Sequence, residues 1–230
     1  NEYTIAFYDG EKTIAKINGH YGDPVDFPAV SKKGYDLFWS KTPEKVEESC
    51  EIHVRWIFSN PVGKEVRSGS GIYRIVNPSI KNGTVVLTKY VDTKSVRITL
   101  PDRVKLGDYY YTVEGIGSQA LVECTNMEKL CLPDSVLYVE ESGLAGCRRM
   151  KSLQCGKSLR SFAEKAFIGD VRLKEIYLPG IQFTRCHKNA FGSQVPHFRL
   201  YVSPENRRRV ERAMETVNSR DKIKIIDSAL

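Results

Sequence analysis

A fixed spacing between apolar residues is the feature that most restricts how this chain of 230 residues folds. One aliphatic column recurs at intervals of 23, 23 and 24 residues: Leu130, Leu153, Ile176 and Leu200. A second, partly aromatic column keeps the same intervals: Leu121, Leu144, Phe167 and Phe191. Two apolar columns in step over four copies predict stacked units, because one such unit cannot bury its apolar face alone.

Each unit has the pattern of a short strand that follows a tight turn. In the segment 130–132 the two leucines point to one side and Cys131 points to the other, since side chains alternate along a strand. Pro133 then ends the strand. The preceding Gly-x-x-Ala-Leu stretch suits a single helical turn. Stacking these units predicts a parallel ladder of strands along one side.

The best-formed unit, residues 116–133, reads Ile-Gly-x-x-Ala-Leu-x-x-Cys-x-x-Met-x-x-Leu-x-Leu-Pro. It resembles the BspA-type leucine-rich repeat of bacterial surface proteins. Residues 96–101 look like a strand of the same family, and residues 109–117 look like its entry segment. Other units depart from the pattern, and we expect each departure to weaken its unit: Gly143 replaces Ala, Gly156 replaces Pro and Asp170 replaces Cys.

Segments on both sides of the repeats are predicted to cover the open ends of the stack. Two strand-like segments around Asn82-Gly83, a hairpin signal, predict an N-terminal β cap. After the last repeat, Ser203 is a good N-cap and Pro204 suits the first position of a helix. We predict a capping helix and a final short strand at 222–226. The helix has apolar residues at helical spacing: Val210, Ala213, Met214 and Val217.

The first 59 residues have a different pattern. Residues 3–8 and 13–17 predict a hairpin around Asp9-Gly10, and residues 52–56 alternate as a last strand. The order Phe-Tyr-Asp-Gly, Tyr-Gly-Asp-Pro, Pro-x-x-x-Lys-Lys-Gly-Tyr, Trp and a closing strand resembles the Listeria–Bacteroides repeat, or B-repeat. That resemblance implies a β-grasp-like module. Residues 60–63 then form a turn-rich linker.

The predicted fold is mainly β with short helical turns. A β-grasp-like module at 1–59 and a linker at 60–66 precede a leucine-rich-repeat solenoid of about four to five units at 67–230. Within the solenoid we place the β cap and entry repeat at 67–115, the repeats at 116–203, and the capping helix and strand at 204–230.

The charge is uneven along the chain. Residues 1–59 carry a net charge of −3, whereas the remainder carries +10, which fits two domains of different character. We expect no nucleic-acid binding, because the basic residues are mixed with acids and no Lys/Arg block lies among stacking aromatics. The chain has no run of 18 apolar residues, so we expect no transmembrane segment.

The cysteines and histidines do not form a recognisable chemical motif. There is no Cys-x-x-Cys and no histidine pair at metal-binding spacing, so we expect no metal, no cofactor and no enzymatic activity. Cys186 next to His187 invites a thiol-nucleophile interpretation, but Cys186 falls in an inward column. Cys124 and Cys147 occupy one column of adjacent units, and we predict free buried thiols. The six cysteines are Cys50, Cys124, Cys131, Cys147, Cys155 and Cys186.

The outward side chains of the ladder are the candidate functional surface, since curved solenoids use such faces for binding. Tyr and Arg are enriched at binding hot spots, so we hypothesise that Tyr177, Tyr201 and Arg199 anchor a partner. An ordinary polar sheet face remains an equal alternative. The candidate residues are Arg97, Thr99, Lys129, Ser152, Gln154, Glu175, Tyr177, Arg199 and Tyr201.

The two resemblances imply an extracellular or cell-surface bacterial protein that is monomeric. They imply adhesion to, or recognition of, a host protein, a matrix component or a glycan through the solenoid face. One alternative is a spacer or display module of a larger surface protein, and another is an accessory region of a secreted hydrolase. Because the chain opens at Asn1 without a basic-then-apolar leader, we expect any signal peptide to have been removed or to lie outside this sequence.

Overall fold

The computed structural model describes residues 1–32, 35–58 and 60–228. Three sequence predictions therefore extend beyond the described residues. Lys33 and Gly34 belong to the Pro-x-x-x-Lys-Lys-Gly-Tyr motif, Ser59 ends the predicted N-terminal module, and residues 229–230 end the predicted solenoid. The chain divides into two compact units, Asn1–Asn60 and Pro61–Leu230.

The first unit is a four-stranded mixed sheet. Its strands are β1 (Glu2–Asp9), β2 (Lys12–His20), β3 (Tyr35–Trp39) and β4 (Cys50–Phe58). They lie in the order β2-β1-β4-β3, with β1 parallel to β4 and the other two pairs antiparallel. The predicted hairpin is β1–β2, and Gly10 has the positive φ of +59° that its tight turn requires. The buried residues of its core are Ile5, Phe7, Val46 and Ile52.

The regular secondary structure of the second unit consists mainly of short strands, which turns and loops connect. These are β5 (Glu65–Ser68), β6 (Gly71–Asn77), β7 (Thr84–Tyr90), β8 (Arg97–Thr99), β9 (Arg103–Leu106), β10 (Tyr109–Ile116), β11 (Lys129–Cys131), β12 (Tyr138–Val139), β13 (Ser152–Gln154), β14 (Ser161–Phe162), β15 (Glu175–Leu178), β16 (Arg185–Cys186), β17 (Phe198–Val202) and β18 (Ile223–Asp227). Strand β5 begins inside the segment 60–66 that the sequence predicted as linker. One α-helix, α1 (Arg207–Met214), follows a 3-10 turn at Pro204–Asn206.

Six strands form the predicted parallel ladder, which we call the long ladder: β8, β11, β13, β15, β17 and β18. The aliphatic column lies on neighbouring rungs, with Leu130 paired to Leu153, Leu153 to Ile176, and Ile176 to Leu200. All four side chains are fully buried. This confirms the predicted solenoid. The final strand β18 was predicted as a strand but not as a rung of this ladder.

A second parallel ladder, which we call the short ladder, was not predicted. It joins β10, β12, β14 and β16, and it pairs Ile116, Val139, Phe162 and Cys186 in register. Three of its strands are only two residues long, which is too short for alternation to be visible in the sequence. At its N-terminal end β10 pairs in parallel with β7 of the β5–β6–β7 antiparallel cap.

The segments predicted as single helical turns are hydrogen-bonded turns instead of helices. Gln119, Ser142 and Lys165 have φ values of 57°, 57° and 55°, which a helix excludes. The backbone N–H of Leu121 donates to the carbonyl of Gly143 in the next coil, 3.1 Å away. The turns also keep local bonds, such as that from the N–H of Val122 to the carbonyl of Gln119 at 3.2 Å, so the bonds between coils are made in addition to them.

The capping helix is present and packs its apolar face inward. Val210 and Met214 are fully buried, Val217 is 4% exposed, and the helix contacts β16 and β18. Ser203 takes the N-cap position of the 3-10 turn, as predicted, but without a bond from its side chain. The backbone carbonyl of Ser203 accepts from the N–H of Asn206 instead. Pro204 starts the 3-10 turn, and its fixed φ suits that position.

Two glycine departures from the repeat pattern are demanded by close packing between coils. A Cβ atom on Gly156 would lie 2.0 Å from the carbonyl oxygen of Pro133 in the preceding coil. A Cβ atom on Gly143 would lie 2.9 Å from Val139 Cγ1 and 3.1 Å from the carbonyl oxygen of Gly117. A larger residue at either position would force the coils of this structure apart, whereas the expectation that these glycines weaken their units stays a prediction.

Candidate binding face

The nine residues predicted as the binding surface lie side by side on the outer face of the long ladder. Parallel pairing in register arranges that face in two rows, which together we call the ladder face. The cation row consists of Arg97, Lys129, Ser152, Glu175, Arg199 and Lys224. The tyrosine row consists of Thr99, Cys131, Gln154, Tyr177, Tyr201 and Ile226. Alternation along each strand points both rows away from the buried leucines between them.

The two tyrosines of this face form a stacked pair. The rings of Tyr177 and Tyr201 are 4.7 Å apart and 8° from parallel, a separation equal to the spacing of neighbouring strands. The Tyr177 hydroxyl donates to Glu175 Oε2 at 3.0 Å. Partial burial, then this bond to Glu175, raises the pKa of Tyr177. The tyrosines are thus held in one orientation by the strands beneath them.

Glu175 is the only carboxylate in either row. It accepts the Tyr177 hydroxyl bond, and Arg199 Nη1 lies 3.6 Å from its Oε1. Among the described residues, Arg97, Lys129 and Lys224 have no carboxylate oxygen within 4.0 Å, and all three are exposed. The face therefore presents positive charge at both ends, and only its middle is neutralised.

Three members of this face lie outside the nine predicted residues: Cys131, which was expected to point outward, and Lys224 and Ile226, which the sequence pattern did not place here. Lys224 and Ile226 belong to β18, which pairs with β17 only after the chain has passed through the capping helix. The alternation Lys-Ile-Lys-Ile-Ile was the available signal, but it does not reveal which strand β18 joins. Next to the face, a cleft at the start of the last rungs is lined by Lys174, His197, Phe198, Arg199, Asp221, Lys222, Ile223 and Lys224.

The cysteine next to a histidine has the wrong electrostatics for a nucleophile. Cys186 is 6% exposed, and burial raises the pKa of its thiol to about 12. His187 Nδ1 accepts the backbone N–H of Asn189 at 3.2 Å. An activated thiol needs a lowered pKa and access to solvent. Over residues 1–32, 35–58 and 60–228 no group of three or more His, Cys, Asp or Glu side chains could hold a metal ion.

The predicted thiol column lies inside the stack, and one of its positions holds a carboxyl group. Cys124 and Cys147 are buried, and burial raises the pKa of both thiols, that of Cys124 to about 11. In the next coil Asp170 is fully buried. Its Oδ1 accepts the backbone N–H of Cys147 at 2.9 Å, whereas its Oδ2 has no hydrogen-bond partner. Burial raises the pKa of Asp170 well above its usual value.

Comparison with known proteins supports the predicted repeats of the second unit. Residues 98–210 match the model of the BspA type leucine rich repeat region in six copies. This confirms the BspA-type resemblance of the repeats. The match begins at residue 98, so the B-repeat resemblance of the first unit stays a prediction. A search of curated proteins found no match, and no helix among the described residues is long and apolar enough to span a membrane.

One solved structure shares the solenoid fold at a TM-score of 0.50, and two others are similar at lower scores. A leucine-rich repeat protein from Bacteroides capillosus is 23% identical, with a TM-score of 0.50 over 59% of this chain and 97% of its own. The T. pallidum leucine rich repeat protein is 18% identical, with a TM-score of 0.49 over 72% of this chain and 65% of its own. A leucine rich cell surface protein from Faecalibacterium prausnitzii is 18% identical, with a TM-score of 0.43 over 61% of this chain and 45% of its own.

Proposed function

We propose that this chain, which carries BspA-type leucine-rich repeats over residues 98–210, is a non-enzymatic recognition protein of the bacterial cell surface. It adheres to a host protein, a matrix component or a glycan, and it works outside the cell as a monomer. The observation that carries this proposal is the ladder face. Six rungs in register display two rows of outward side chains on a rigid support, as binding surfaces of solenoids do.

The stacked tyrosines are the proposed anchor of this surface. Tyrosine supplies a large contact area at low entropic cost, and the ring pair of Tyr177 and Tyr201 is already ordered before a partner arrives. Arg199, held beside Glu175, adds a charged donor next to the pair. A partner that contacts these three side chains meets a preformed site, so little ordering entropy opposes binding.

We propose that the first unit is a β-grasp-like B-repeat module at 1–59, followed by a linker that starts at Asn60 and ends before β5 begins at Glu65. Its mixed sheet with β1 and β4 parallel supports this assignment. The module is a separate compact unit. It contributes no residue to the ladder face, all of whose members belong to the second unit.

An adhesion assay tests the proposed function. Fluorescent beads coated with the full chain are applied to cultured epithelial cells, to decellularised matrix and to a glycan array. The double variant Tyr177→Ala/Tyr201→Ala is expected to lose most of the adhesion, about tenfold or more, as hot-spot tyrosines do. The matched control is Tyr21→Ala/Tyr110→Ala, which removes two tyrosines that are 72% and 52% exposed and lie off the ladder face.

The outcomes of this assay separate the candidate functions. Adhesion that the control keeps and the ladder-face variant loses supports recognition through this face. Adhesion that survives both variants contradicts it. Beads that bind none of the three surfaces favour the spacer or display alternative. Circular dichroism of each variant checks that the fold is unchanged.

A further inference from the structure

We infer that the last three rungs of the ladder face bind an acidic polypeptide segment that also carries an apolar side chain. The inference rests on the proposed function and names the chemistry of its partner. The site consists of Tyr177 and Tyr201, the neighbouring Ile226, and the cations Arg199 and Lys224.

Positive charge collects at this end of the ladder. The cleft beside the last rungs holds four cationic side chains and one carboxylate, that of Asp221: the cations are Lys174, Arg199, Lys222 and Lys224. Lys222 Nζ donates to the carbonyls of Ser193 and Val195, so its charge is fixed in place. Glu175, on the adjoining rung, is already engaged by Tyr177 and Arg199. A partner with carboxylates therefore finds cations that are not fully neutralised.

The stacked rings meet a partner at their edges. Because Tyr177 and Tyr201 stack on one another, the ring faces between them are covered. Gln154 and Ile226 occupy the rungs on either side of the pair, so neighbouring side chains flank the outer faces. The edge of an aromatic ring carries positive potential and attracts carboxylate oxygens. A neutral sugar, which would stack on an open ring face, is a poorer fit than an acidic group.

The tyrosine row distinguishes a polypeptide partner from a sulfated polysaccharide. Ile226 and the two tyrosine rings offer partly buried apolar surface alongside the cations. A polypeptide places carboxylates and apolar side chains on one strand and satisfies both rows. A sulfated polysaccharide offers anionic and hydroxyl groups but no apolar side chain, so it would use mainly the cation row. The pairing of an ionic row with an apolar row therefore favours an acidic, partly apolar polypeptide.

The test uses a phage-displayed library of random dodecapeptides, panned on the immobilised full chain. Enriched peptides are expected to carry net negative charge and at least one aromatic or aliphatic residue. Binding of the enriched pool to Arg199→Gln/Lys224→Gln is expected to fall by about fivefold to tenfold, since two exposed ionic contacts are lost. The matched control Arg208→Gln/Arg212→Gln removes the same charge from exposed positions of α1 and is expected to bind as the unchanged protein does.

Three results would overturn the inference. In the first, the enriched peptides are neutral or basic and Tyr177→Ala/Tyr201→Ala no longer binds them. The ladder face would then still be a binding surface, but its partner would not be acidic. A pool that binds all variants equally, or no enrichment, would reject this site for polypeptides altogether. A heparin dodecasaccharide is tested in parallel. If it binds the chain, if only Arg199→Gln/Lys224→Gln abolishes that binding, and if no peptide is enriched, the site would be assigned to a sulfated glycan.

Discussion

Replacing Asp170 with asparagine is expected to stabilise the solenoid at neutral pH. The buried carboxyl has one hydrogen bond, from the Cys147 N–H to Oδ1, and its second oxygen has no partner. An asparagine oxygen can keep the bond to Cys147, while the neutral amide cannot ionise. Burial raises the pKa of Asp170 in the folded state, so the folded chain retains a proton that the unfolded chain releases.

The sign and size of the effect follow from this difference in bound protons. Because the folded state binds more protons, stability falls as the pH rises from the unfolded pKa of about 3.9 to the raised folded pKa. Within that window the gap between Asp170→Asn and the unchanged chain should widen by about 1.4 kcal/mol per pH unit. Above the folded pKa the gap should stay constant.

Urea unfolding at pH 4.5, 5.5, 6.5 and 7.5, followed by far-UV circular dichroism, measures this gap. The fluorescence of Trp39 and Trp56, both in the first unit, serves as an internal control that should not respond. The matched variant is Asp134→Asn, since the exposed Asp134 accepts the Lys157 N–H of the next coil at 2.9 Å. A gap that does not change with pH, or an Asp170→Asn chain that is less stable at pH 7.5, would refute the reasoning.

Five further outcomes are expected. Leu153→Ala should cost about 2–5 kcal/mol of unfolding free energy in urea, because the side chain is fully buried mid-ladder. Ile226→Ala, partly buried on the last rung, should cost under about 1.5 kcal/mol. Gly156→Ala should cost about 1–3 kcal/mol, since its Cβ would overlap the Pro133 carbonyl; a smaller loss would mean that the coils separate easily. A thiol-reactive reagent should label Cys50 and Cys131 quickly and the four buried cysteines slowly, whereas a bridge found by non-reducing mass analysis would contradict the free thiols. Burial raises the pKa of Cys147 and Cys155, so stability measured in urea should also fall above the unfolded thiol pKa of about 8.5.

The parts of the candidate site that could be predicted are those set by a repeating local pattern. Outward positions such as Tyr177 follow from alternation around Ile176, and the equal spacing of units places Tyr201 on the neighbouring rung. Lys224 and Ile226 could not be assigned, because their rung is set by how the chain returns after α1. The turns between strands were misjudged as helical, since hydrogen bonds to the next coil decide their conformation.

The 23-residue spacing alone determined that the leucines stack, because any other arrangement would leave a column of apolar side chains in water. It also determined which side chains face outward. Only the tertiary structure decided which atoms of neighbouring coils each residue contacts. Position 156 must be glycine because a carbonyl oxygen of the neighbouring coil lies where a Cβ would be. Asp170 is buried by neighbouring coils, and one of its two oxygens has no hydrogen-bond partner. The atoms that decide both cases are distant in the sequence.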